Sequence, residues 1–255
     1  MSNKWFTNQS SRRNSYPIRN RKKTNWSLVT WIIIINVGVF ILMQGYNRYL
    51  ATSENSPKTY PIMKSSLINY FALKPIEIAQ GHYLTSIVLH MFTHIIAIHL
   101  LINMIALFSL GGLCEKIIGK KRFIWFYLIS GIFAGLLSVF FSLSYGATAL
   151  GEKIVGSPDI FMVGASGAIF AIAGLYVMLL PRLKFMIIFL PFFSIPAYIM
   201  VPAVLFITWI ASIFGNLPVG NVAHFGGFLA GLVYGFYLKT KYRKKVMKLQ
   251  RMFDR

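Results

Sequence analysis

Long apolar segments, separated by short polar or basic stretches, most limit what this chain can fold into. An α-helix needs about 20 apolar residues to cross a hydrocarbon core of roughly 30 Å. Of the 255 residues, 56% are hydrophobic and 13% charged, a balance typical of polytopic membrane proteins. The sequence therefore predicts an all-α membrane protein, a bundle of six transmembrane helices at about 28–44, 87–113, 123–143, 161–180, 185–214 and 222–238.

The distribution of lysine and arginine predicts the orientation of these spans. If the N-terminus is cytoplasmic, the external segments 45–86, 144–160 and 215–221 hold only five of the 26 lysines and arginines. The formal charge of +20 then reflects topology and contact with anionic headgroups, and nucleic-acid binding is disfavoured. We expect a multi-pass protein of the cell membrane with both termini in the cytoplasm.

The chain is predicted to form one membrane domain with two basic ends. Residues 1–25 are basic and rich in serine and asparagine, and are expected to be a disordered cytoplasmic tail. Residues 26–240 form the membrane domain, in which 45–86 is an external connection of a length that is usually functional. Residues 241–255 form a basic cytoplasmic tail. The fifth span contains three prolines and is expected to be kinked or broken.

Polar side chains within the spans are few, and their burial in hydrocarbon calls for a reason. No Asp, Glu, Lys or Arg lies in the middle of a span, which disfavours ion pumps and proton relays. Ser166 on the fourth span and His224 on the sixth are left, together with a polar set on the second span: His90, His94, His99 and Asn103.

Ser166 and His224 are predicted to meet in the outer half of the membrane. Ser166 lies about 10 Å below the outer end of its span at 1.5 Å per residue, and His224 lies within two turns of the same face. Each shares its span with small residues that let helices approach closely: Gly167, Ala171 and Gly174 on the fourth, and Gly227, Gly231 and Gly235 on the sixth. Packing of these faces would bring Ser166 within hydrogen-bond reach of His224, as a nucleophile and base require.

The second span can supply the donors that such a pair lacks. His99 and Asn103, at i and i+4, share a helix face and can both stabilise an oxyanion. Backbone N–H groups at the start of the helix that carries Ser166 are also free for this purpose. No acid is available to orient His224, so a dyad is expected. The histidines have no carboxylate or cysteine nearby, so no metal or cofactor is predicted.

Each of these features also has a structural interpretation. A serine among glycines more often reflects helix packing than catalysis, and a transmembrane histidine often bonds to a neighbouring helix. Asn103 can do the same. The joint position of these residues at the outer ends of three spans favours the catalytic interpretation.

Three motifs together resemble the rhomboid family of intramembrane serine proteases. They are "GASGAIF" on the fourth span, "HMFTHIIAIHLLINM" on the second and "NVAHFGGFLAGLVYG" on the sixth. The resemblance covers about residues 70–238 and includes "GGLCEKIIG" after the second span. It implies an enzyme that cleaves transmembrane protein substrates in the lipid bilayer through an acyl-enzyme. The implied residues are Ser166 (nucleophile), His224 (base), His99 and Asn103 (oxyanion), with Gly164, Gly167, His94 and Phe170 in support.

The chain departs from the family pattern in two places, at the pair Thr85-Ser86 and at Phe170. Many members carry a Trp-Arg pair in the first loop where this chain has Thr85 and Ser86, and some carry tyrosine where it has Phe170. Neither departure touches the implied nucleophile, base or oxyanion residues. The alternatives are an inactive rhomboid-like protein that binds membrane clients, and a small-solute transporter, which the lack of a repeat and of intramembrane charge disfavours.

Overall fold

The computed structural model describes residues 26–53, 66–187, 190–215 and 219–253. This part of the chain is almost wholly helical, which confirms the predicted all-α membrane fold. The predicted tail 1–25 and residues 54–65 of the external connection lie outside the described residues. The helices are α1 Leu28–Ser53, α2 Ser66–Phe71, α3 Pro75–Ala79, α4 Ser86–Leu89, α5 Ala97–Ala106, α6 Gly112–Ile118, α7 Lys120–Tyr145, α8 Ala149–Val155, α9 Ser166–Leu179, α10 Ala197–Gly215, α11 Asn221–Lys241 and α12 Arg243–Phe253.

The six predicted spans differ in length and polarity. Among the described residues, four helical stretches are long and apolar enough to cross a membrane: Leu28–Leu50, Ala97–Ile118, Lys120–Tyr145 and Ala197–Gly215. Helix α9 has only 14 residues, or about 21 Å, and most of its side chains are buried inside the protein. Helix α11 has 21 residues but carries Asn221 and His224 in its first turn and two lysines, Lys239 and Lys241, in its last. The predicted fourth span is therefore a short helix inside the protein, and the predicted sixth span is a helix that is less apolar than the other four.

The predicted second span, 87–113, is not one helix. After α4, a 3₁₀ turn over His90–Phe92 ends at Thr93, which is extended, and α5 begins only after the extended Ile96. The membrane-crossing part runs over Ala97–Ile118. His94 consequently lies in the non-helical segment before this helix and not on its face.

A π-helical turn, Leu107–Gly111, joins α5 to α6. Such a turn disturbs the regular backbone hydrogen bonds of a helix. Here the hydroxyl of Tyr176 on α9 donates a 2.6 Å hydrogen bond to the carbonyl of Leu110. The turn is thereby tied to the helix that carries Ser166.

The predicted fifth span, 185–214, is broken as expected, but the part before Ala197 forms two strands and not a helix. Strand β1, Lys184–Ile187, pairs antiparallel with β2, Leu190–Pro196, with Phe185 opposite Ile195 and an irregularity after Met186. Helix α10 begins only at Ala197. Proline lacks an N–H group, and aromatic and β-branched residues favour strands, so this proline-containing apolar run pairs as a hairpin. Pro202 alone of the three prolines lies inside the helix.

Helix α9 is central and packs mainly on α11 and α7. A methyl group added to Gly227 would collide with the carbonyl oxygen of Gly167, and one added to Gly231 would collide with that of Ala171. From the side of α9, Gly174 likewise faces the backbone carbonyl of Phe228 on α11. The backbones of α9 and α11 are therefore in direct contact, and their N-terminal ends lie together.

The basic segments meet at the opposite end of the bundle. Lys120 donates to the carbonyl of Trp26 at 2.8 Å, and Gln250 of α12 donates to the carbonyl of Leu179, the last residue of α9, at 3.0 Å. Within the predicted tail 241–255, α12 packs against the domain through buried apolar side chains, Val246 and Leu249. The start of α1, the α6–α7 junction and α12 therefore share one end, away from Ser166.

Candidate active site

Ser166 is the first residue of α9, and an ordered backbone leads to it. Met162 forms a bridge with Leu73, with hydrogen bonds of 2.8 and 3.0 Å. The N–H of Gly164 donates to the carbonyl of His90 at 2.9 Å. Backbone hydrogen bonds thus hold Met162 and Gly164, the residues just before the helix, and fix Ser166 at the N-terminus of α9.

His224 lies in the first turn of α11, beside Ser166. Its Nε2 lies 2.8 Å from the hydroxyl oxygen of Ser166, a hydrogen bond in which the serine donates when the ring proton is on Nδ1. The ring of Phe170, one turn further along α9, stacks on the imidazole at 4.5 Å between centroids. Nδ1 of His224 is buried without a hydrogen-bond partner among the described residues. The contact has the geometry that a nucleophile and its base would require, and among the described residues no acid is hydrogen-bonded to Nδ1 of His224.

His99 and Gly164 form the other side of the site. Gly164 has φ +120°, a conformation that L side chains rarely adopt. A Cβ at this glycine would lie 2.8 Å from Cε1 of His99 and 3.7 Å from Oγ of Ser166. Only glycine therefore lets the imidazole of His99 approach the backbone beside the serine.

Asn103 is buried one turn below His99 on α5. Its amide nitrogen donates a 2.8 Å hydrogen bond to the carbonyl of His99. An amide group has two N–H donors, so a second remains for another acceptor. The first backbone N–H groups of α9, including that of Ser166, have no acceptor within the helix.

The other predicted residues of the site pack around this centre. His94 is fully buried, and its ring lies edge-on to that of His99 at 5.0 Å. Neither ring nitrogen of His94 has a hydrogen-bond partner among the described residues. Gly167 contacts the backbone of α11 as described above. Within the described ranges, no three His, Cys, Asp or Glu side chains are grouped closely enough to hold a metal ion.

Two contacts near the site were not anticipated from the sequence. His90 holds Gly164 through its backbone carbonyl, and its own ring Nδ1 lies 3.0 Å from the carbonyl of Ser86. Trp209 of α10 donates its indole N–H to the carbonyl of Ile154 in α8 at 2.8 Å. Both depend on backbone carbonyls, which carry no signal in a sequence. The sequence indicated only that the indole N–H of Trp209 would donate a hydrogen bond, since buried tryptophan usually finds an acceptor, and not which carbonyl would accept it.

Comparison with known families accounts for this constellation. The rhomboid domain matches residues 81–241, more than half of the chain. The chain belongs to the rhomboid family. The match contains Ser166 and His224, together with the residues that pack around them: His94, His99, Asn103, Gly164, Gly167 and Phe170.

Several curated proteins resemble this rhomboid along most of its length. It is 27% identical over 250 residues to the human presenilin-associated rhomboid-like protein, mitochondrial, covering 97% of this chain and 55% of that protein. Identity to Rhomboid protein 1, mitochondrial, of Saccharomyces cerevisiae is 27% over 230 residues, 86% of this chain and 55% of the relative. It is 27% over 161 residues to the rhomboid protease GlpG of Haemophilus influenzae, 62% of this chain and 71% of the relative.

The comparisons show that the chain is a multi-pass membrane protein, and they also bear on its length and on its predicted location. This rhomboid spans about half the length of the mitochondrial relatives that it matches. Because those relatives are named as mitochondrial proteins, the comparisons do not support the predicted location in the cell membrane.

Proposed function

We propose that this rhomboid is an intramembrane serine endopeptidase that cleaves transmembrane segments of other membrane proteins. The observation that carries the proposal is the 2.8 Å contact between Ser166 Oγ and His224 Nε2. As the serine oxygen attacks the peptide carbonyl carbon, its proton passes to Nε2 of His224. The histidine then returns that proton to the leaving amine, which leaves an acyl-enzyme. Water, activated by the same nitrogen, releases the acyl group and restores the serine.

The negative charge on the carbonyl oxygen needs donors during this attack. The backbone N–H of Ser166, the ring of His99 and the spare amide N–H of Asn103 are the donors that we assign to it. Donors held in place before the reaction lower its barrier most, because they need no reorganisation when the charge appears. The contact of His99 with Gly164 and the bond from Asn103 to the His99 carbonyl provide this preorganisation.

The proposed substrate is a transmembrane segment that can unwind. A helix bonds its own carbonyls internally, so an intact helix offers no carbon to Ser166. Small or helix-breaking residues in the client would lower the cost of exposing an extended stretch. We propose that this stretch enters at the end of the bundle where α9 and α11 begin.

We also propose that both termini lie on the side opposite the site. Contacts such as Lys120 with Trp26 and Gln250 with Leu179 gather the basic segments at the end away from Ser166. Lysine and arginine are retained on the cytoplasmic side of membrane proteins. The N-terminus and α12 would then face the cytoplasm or its equivalent, with Ser166 nearer the other surface.

A serine-directed fluorophosphonate tests whether Ser166 is an activated nucleophile. We expect the purified protein to be labelled at Ser166, because His224 withdraws the hydroxyl proton, and the His224→Ala variant to be labelled at least about 100-fold more slowly. Mass spectrometry of the labelled peptide gives the site and the rate. A folded wild-type protein without label at Ser166 would support the client-binding alternative instead.

The role of His99 can be tested through Gly164. Gly164→Ala would push the imidazole away and is expected to lower kcat for a transmembrane substrate about 100-fold, the typical effect of losing one oxyanion donor. Gly81→Ala is the matched control, because Gly81 also has positive φ but a Cβ there meets nothing within 4 Å. Equal activity of the two variants would contradict the assigned role.

A further inference from the structure

A second polar cluster lies at the end of the bundle opposite Ser166. Three cationic groups surround the ring of Tyr242: Arg122 Cζ at 5.4 Å from its centroid, Lys245 Nζ at 5.7 Å and Lys241 Nζ at 5.9 Å. One comes from each of α7, α12 and α11. We call these four residues the Tyr242 cluster, and it joins three helices.

Hydrogen bonds to tyrosine hydroxyls hold two of these cations in place without neutralising them. Arg122 Nη2 donates to the hydroxyl of Tyr242 at 3.1 Å, and Lys241 Nζ donates to the hydroxyl of Tyr237 at 2.6 Å. Burial of Val246 fixes α12, which carries Lys245, against the domain. The positions of the charges are therefore set by the fold and not by a mobile tail.

None of the three cations of the Tyr242 cluster forms an ion pair with a described residue. The ion pairs found there involve only Lys74 and His82, with Glu77 and Asp159. Attraction to an aromatic ring does not cancel the repulsion between like charges held this close together. In addition, Nη1 of Arg122 is buried without a hydrogen-bond partner in the described chain. A buried donor of this kind calls for an acceptor, and the described residues supply none.

We propose that the Tyr242 cluster binds the phosphate group of an anionic phospholipid. Phosphate oxygens accept charge-assisted hydrogen bonds from both arginine and lysine. Basic sites between helices on the cytoplasmic side are suited to anionic headgroups. Residues that share helix faces with the cluster are apolar and exposed: Trp125, 57% exposed, follows Arg122 on α7, and Val233, 70% exposed, precedes Lys241 on α11. These faces give the acyl chains of a lipid a surface that free phosphate would not use.

Native mass spectrometry of the full chain, released from detergent, tests this site. The protein is titrated with phosphatidylglycerol and, separately, with phosphatidylcholine of the same acyl chains. We expect preferential binding of phosphatidylglycerol, and a loss of about 25-fold in its affinity for the Lys241→Gln/Lys245→Gln variant, or about fivefold per lysine. Affinity for phosphatidylcholine should not change.

The matched control removes the same charge from the same two helices. Lys239→Gln/Arg251→Gln alters exposed residues of α11 and α12 that do not contact the Tyr242 ring. The affinity of this variant for phosphatidylglycerol should stay within about twofold of the wild-type value. An equal loss in both variants would overturn the site in favour of diffuse attraction. Millimolar inorganic phosphate that raises the melting temperature as much as phosphatidylglycerol would overturn the lipid assignment.

Discussion

Replacement of Ser166 or His224 by alanine is expected to lower the turnover of a transmembrane substrate by on the order of 10⁴-fold or more. Ser166→Ala removes the atom that would form the acyl-enzyme. His224→Ala removes the base 2.8 Å from it, and with no acid behind His224 in the described chain no other group takes over the proton. Residues that act as one unit are not additive, so the double variant should be no slower than either single one.

The measurement is cleavage of a single-span substrate by purified protein in proteoliposomes. Ser144→Ala and His82→Ala are matched controls, because both residues are exposed and neither is hydrogen-bonded to Ser166 or His224. They should cleave at the wild-type rate. Equal cleavage by all variants, or cleavage by a folded Ser166→Ala protein, would remove the proposed mechanism.

The second large effect is expected from Gly227→Ala. A Cβ at Gly227 would overlap the carbonyl oxygen of Gly167, so α11 has to move away from α9. Overpacking of this kind typically costs about 1–3 kcal/mol, and a backbone oxygen cannot move aside as a flexible side chain can. His224 lies one turn before Gly227 and would shift with it. A displacement of about 1 Å between reacting groups can lower the rate about 100-fold.

Thermal unfolding and substrate cleavage, measured together, test this prediction. Gly45→Ala is the control, since Gly45 lies within α1 and a Cβ there meets nothing within 4 Å. We expect a lower melting temperature and slower cleavage for Gly227→Ala, and neither change for Gly45→Ala. Unchanged cleavage in Gly227→Ala would mean that close contact of α9 and α11 does not position the dyad.

The spacing of residues along the sequence predicted which polar side chains could lie together, but only where the chain forms a regular helix. Ser166, His224 and their small neighbours follow regular helices, so face and depth could be estimated from 3.6 residues per turn. His94 could not be placed in this way, because residues 93–96 are not helical. The hairpin before α10 was missed for a related reason, since an apolar run with prolines does not by itself distinguish a kinked helix from paired strands.

The sequence by itself determined the membrane class, the helical architecture and the family motifs. These follow from apolar length, from the positions of charges and from residue types, and each is a local property of the chain. The tertiary structure alone decided that His99 lies against Gly164 and that three cations share the Tyr242 ring. Those arrangements depend on how closely the backbones of separate helices approach, a distance that is set by packing across the bundle and not by any one segment.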